Sequence, residues 1–111
     1  MAETFKRLGA ILSSGVIGTA DTLYTCPTST STVVSTIVIC NQSASPATYR
    51  LAVSTTTSFV AAGYLIYGAT VPANDSIFLT IGATLDTTNK YLLCSGSANT
   101  LSFTAFGVES T

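Results

Sequence analysis

The chain has 111 residues, a formal net charge of -1, 8% charged residues and no histidine. Its four cations, Lys6, Arg7, Arg50 and Lys90, are too few and too dispersed to neutralise a phosphate backbone, which argues against a nucleic-acid partner. No stretch reaches the ~20 apolar residues of a membrane-spanning helix, so no membrane partner is expected, and without histidine a Ser or Cys nucleophile lacks its usual base, which argues against an enzyme.

A chain of this length holds one core, and residues 1–111 read as one domain. Ser and Thr, about a third of the residues, replace the charged groups that make up roughly 25% of an ordinary domain. A hydroxyl surface of near-zero net charge has little self-repulsion, and self-association is the expected consequence.

The N-terminal "MAETFKRLGAILSSGVIGTA" imitates a secretory signal, but Ser13, Ser14 and Gly15 interrupt its apolar stretch and Glu3 sits among its cations. Within it, Phe5 and Leu8 flank Lys6 and Arg7. Residues 1–8 therefore read either as an arm that lays apolar side chains on a neighbour while its cations meet carboxylates, or as the start of a first strand near 6–12. A second strand near 22–26 stops at Pro27, and the Ser/Thr tract after it makes a polar rim.

The run from Val33 to Cys40 is β-branched almost throughout and reads as a strand near 32–40. Strict alternation puts Val33, Ile37 and Ile39 on one face and Val34, Val38 and Cys40 on the other, so both faces avoid water. Cys40 would then be the least accessible of the three cysteines. Cys26, Cys40 and Cys94 form no C-x-x-C pattern and read as buried, reduced thiols, although a Cys26–Cys94 bridge stays open.

"ATYRLAVS", near 47–54, turns Tyr49, Leu51 and Val53 inward. In the next strand, near 63–71, Tyr64 and Tyr67 flank Leu65 and Ile66, and alternation assigns them to opposite faces, so that one is exposed or lies in an interface and a subunit contact or a core position is favoured over a ligand platform. A sugar platform would want Trp with carboxylates or amides beside it, and none is evident. Strands follow near 76–81 (Ile77, Leu79 and Ile81 inward), 90–95 and 100–108. In the last, Leu101, Phe103 and Ala105 face inward and Phe106 and Val108 switch parity, which suggests a bulge.

"QSASPA", "VPANDS", "LDTTNK" and "SGSANT" supply the turns between these strands. Asn41 and Asn74 match glycosylation patterns there but read as turn residues. The dispersed acids show no calcium-loop spacing, and no metal or cofactor is expected. Eight short strands with these turns make an all-β, antiparallel two-sheet β-sandwich of about seven or eight strands, Ig-like or jelly-roll-like.

Tyr24 with Pro27, Asn41 at the end of the β-branched strand, Pro72 with Asn74 and Asp75, and Leu101, Phe103, Phe106, Gly107 and Glu109 form an ordered series of motifs. In this series the chain resembles the small all-β virion proteins of tailed bacteriophages, especially those of cyanobacterial and other marine hosts. The resemblance covers the chain from about residue 6 onward and rests on structural motifs. It implies a non-enzymatic virion component, assembled in the host cytoplasm, whose partners are the major capsid protein or other virion proteins.

Three placements follow from it. The chain decorates and cements the capsid as an oligomer, serves as a tail, neck or fibre adaptor, or holds a host-surface glycan. Phe5, Lys6, Arg7, Leu8, Tyr64 and Tyr67 are the expected assembly contacts.

Overall fold

The computed structural model describes residues 2–111. Its strands are β1 (Glu3–Leu12), β2 (Asp21–Thr25), β3 (Ser31–Asn41), β4 (Ala47–Ser54), β5 (Tyr64–Val71), β6 (Ser76–Leu85), β7 (Tyr91–Gly96) and β8 (Leu101–Ser110). A 3-10 turn at Ala61–Gly63 is the sole helical segment among the described residues. No helix there is long and apolar enough to cross a membrane.

All pairings are antiparallel, in two four-stranded sheets. Sheet I has the order β1-β8-β3-β6 and sheet II the order β2-β7-β4-β5. The partners nest: β1 with β8, β2 with β7, β3 with β6, β4 with β5. The chain is thus one long hairpin rolled on itself, changing sheet at each connection except β4–β5, which is the eight-stranded jelly roll. Of the two sandwich forms left open by the sequence, this order selects one.

The core lies between the sheets. Val34, Ile37 and Ile39 of β3 and Leu101, Phe103 and Ala105 of β8 meet Tyr49 and Leu51 of β4 and Leu92 and Cys94 of β7, all buried. Tyr49 and Phe103 meet edge to face at 6.3 Å. Each such large side chain contributes about 1.5–3 kcal/mol by leaving water. The buried Asn41 carboxamide ties the loops to this core: its Nδ2 donates to the carbonyls of Ser45, Val71 and Pro72, and its Oδ1 accepts from the Ser43 N–H.

Bulges correct several facing assignments. Leu8 in β1 is left unpaired opposite Ala105–Phe106 of β8, and Ser35 in β3 is left unpaired opposite Phe106–Gly107. The bulge suggested for β8 therefore sits in its neighbours, while β8 runs unbroken and turns Phe106 outward. Because Ser35 drops out of step, Val34 shares the inner face with Ile37 and Ile39, and Val33 is 43% exposed on the outer one. Cys40 is only half-buried there, whereas Cys26 and Cys94 are buried, so the expected order of accessibility is reversed. All three thiols are free.

Candidate assembly surfaces

Registers across sheet I fix which side chains share its outer face, since directly paired residues point the same way. One row reads Phe5, Val108, Val33, Thr84; the next Arg7, Phe106, Thr36, Thr80; a third Ala10, Thr104, Val38, Phe78. Phe5 is 81% exposed, Phe78 70% and Phe106 40%. Around Phe5 and Phe106, Lys6, Arg7, Ser35, Gly107 and Val108 line an open depression. The face is therefore apolar groups set among hydroxyls, with Arg7 its one cation in these rows.

Four predicted contacts fall on β1, at one edge of this sheet. Phe5 and Arg7 point outward, Leu8 sits at the bulge packed partly against the core, and Lys6 turns toward β8. The strand begins at Glu3 and not near residue 6, so residues 3–7 are paired backbone, with Glu3 opposite Ser110. Met1, the first residue of the expected arm, lies outside the described residues.

A hydrogen-bonded chain fastens this edge. Lys6 Nζ lies 3.1 Å from Glu109 Oε1, the Tyr24 hydroxyl donates to Glu109 Oε2, and Thr32 Oγ1 is 2.8 Å from the Tyr24 oxygen. Four strands, β1, β2, β3 and β8, meet there. The Tyr24 hydroxyl, and then Lys6, hold the Glu109 carboxyl below the usual carboxylate range, while partial burial opposes them. Burial first, and then the neighbouring carboxylate, push the Tyr24 phenol far up.

Tyr64 and Tyr67 lie on the other sheet, and on one face of it. Tyr67 pairs with Arg50 and Tyr64 with Ala52, leaving Leu65 as an extra residue between them. The strict alternation expected of "YLIY" fails at that bulge, and the two rings meet edge to face at 4.9 Å. Phe59 stacks on Tyr64 at 5.1 Å. The Arg50 guanidinium lies over the Tyr67 ring, 4.1 Å from its centroid, and its Nη1 reaches the Tyr64 hydroxyl at 3.5 Å. Tyr67 is 65% exposed.

The predicted contacts thus divide into two sets, one along the β1 edge of sheet I and one on the outer face of sheet II. Sequence reasoning passed over Phe78, although its outward parity follows from inward Ile77 and Leu79. Val33 was hidden by the Ser35 bulge, and Arg50 and Phe59 have no local signal, because their grouping depends on the β4–β5 register. Among the described residues no three His, Cys, Asp or Glu side chains cluster as metal ligands would.

No family model matches the chain, and no curated protein matches it. Among solved structures it is similar over 97% of its length to a chain in the structure of the infectious bursal disease virus Gx strain, at a TM-score of 0.50 and 10% identity. A chain in the Gt strain structure is matched over the same 97%, at a TM-score of 0.34 and 13% identity. The present chain spans 31% and 29% of those two chains. The Gx likeness is one of fold.

Proposed function

We propose that the protein is a non-enzymatic virion structural component, which decorates and cements the head of a virus of the tailed-phage type through the outer face of sheet I. The observation that carries this reading is the grouping of Phe5, Phe106, Phe78 and Val33, all exposed, on one face of a chain with 8% charged residues. Monomers seldom leave such a patch open unless something covers it. The fold supports the reading only in part, because jelly rolls also serve lectins and cupins. Its partners are the major capsid protein and other virion proteins, and its place is the particle.

The test is to add purified protein to preformed heads. Binding should saturate at a stoichiometry set by the lattice and should raise the resistance of the heads to heat. Since the face is apolar and hydroxyl-rich, binding should change little between low and moderate salt. Phe78→Asp, at an exposed site where folding is spared, should abolish it. Protein that ignores heads and decorates tails or necks would make it an adaptor instead.

A further inference from the structure

The two sets of candidate contacts differ in kind as well as in place. On the outer face of sheet II, Arg50 is partly buried with its guanidinium carbon 4.1 Å from the Tyr67 ring centroid, its Nη1 makes only a long 3.5 Å contact with the Tyr64 hydroxyl, and no carboxylate of the described residues reaches it. A guanidinium placed in this way and paired with no carboxylate of its own chain fits a carboxylate delivered from outside to its Nη groups. Arg and Tyr are also the residue types that concentrate at the centres of protein interfaces, and Val60 and Leu65, next to Phe59 and Tyr64 in sequence, are exposed.

The chain itself carries the complement. Four of its five acidic side chains accept hydrogen bonds within the fold, Asp21, Asp75, Asp86 and Glu109. Glu3 makes no hydrogen bond or ion pair with any described residue, and it stands on the outer face of β1 two residues from the most exposed phenylalanine.

We infer that the protein associates with a second copy of itself head to tail: Glu3 and Phe5 on the β1 edge of one copy dock on the Arg50, Tyr64 and Tyr67 cluster of the next. Because the two patches are different surfaces on opposite sheets, the contact is heterologous and propagates, into a ring where the rotation closes and into a filament where it does not. It rests on the reading of these surfaces as assembly contacts and adds the identity of one partner.

Sedimentation velocity on the intact chain tests it. Wild type should form a concentration-dependent oligomer. Phe5→Asp and Tyr67→Asp, both at exposed sites, should each weaken self-association by about tenfold or more, the loss expected of a hot-spot side chain. Mixed together they should give a 1:1 dimer and nothing larger, since one copy supplies an intact head and the other an intact tail. Glu3→Arg and Arg50→Glu, each defective alone, should recover assembly when combined in one chain. A monomeric wild type, or a mixture that stays monomeric, overturns the self-contact. If that monomer still saturates heads, the virion reading survives; if it binds neither heads nor tails, both fall.

Discussion

Cys40 stands apart from the other two thiols. Cys26 is buried and its Sγ donates to the Thr30 carbonyl at 3.2 Å, and burial pushes the Cys94 thiol far up. Both are shut away from reagents by burial. Cys40 pairs with Ser102 and Ser76 on the outer face of sheet I and is half-buried. A thiol reagent added to the folded protein should therefore label Cys40 well before the others, and peptide mapping reads this directly. All three should react after denaturation without reductant; a missing group would mean a disulfide.

Glu109 joins the β1 edge to Tyr24, and its behaviour with pH follows from that. Its carboxyl titrates lower in the folded chain than in the unfolded one, so between the two values the unfolded chain binds more protons and stability rises with pH. The contribution is complete above the ordinary carboxylate range and is lost as pH falls through the lowered folded value. Thermal melts should show Glu109→Gln less stable than wild type at pH 7, by about 1–3 kcal/mol for a charge-assisted hydrogen bond, with the gap closing in strong acid. A gap that persists in acid would mean that shape, and not charge, holds the edge.

Among elements, the bulges decide which side chains meet. Gly68 in β5 has φ of +77° and open space where a Cβ would go, so Gly68→Ala pays only for the backbone, about 1 kcal/mol. Gly107 in β8 differs: a Cβ there would come within 2.0 Å of the Val33 carbonyl oxygen, on the strand beside it. Gly107→Ala must force β3 and β8 apart and should cost more than about 3 kcal/mol. Urea denaturation of the two variants separates the cases, and equal losses would contradict this packing.

The same bulges mark how far the sequence could be read. Strand existence was legible because β-branched runs and turn residues alternate so regularly: the reading at 47–54 coincides with β4, and the others fall within a few residues. β6 was read to 81 but runs to Leu85, with Gly82, at φ of +58°, inside the strand where the β3–β6 register shifts. Facing was legible where pairing is unbroken, as at Ile77 and Leu79. It was lost past Ser35 and between Tyr64 and Tyr67, where one extra residue reverses every later side chain.

At the scale of the whole molecule, the rolled hairpin explains why the candidate surfaces were beyond sequence reasoning. Glu3 meets Ser110 and Phe5 meets Val108, pairs from the two ends of the chain, and Val33 completes their row from the middle. No local window contains that row. The jelly roll also leaves each sheet one broad face away from the core, and on this chain both carry exposed aromatic side chains and little charge. Such a molecule is suited to being covered on both sides, as the proposed assembly requires.

An electron cryomicroscopy map of the intact particle tests that claim most directly. It should show density for this chain repeated over the head lattice, with Phe78 and Phe106 on the outer face of sheet I packed against another subunit. Density that leaves this face toward solvent, or no density for the chain on the head, would contradict the account.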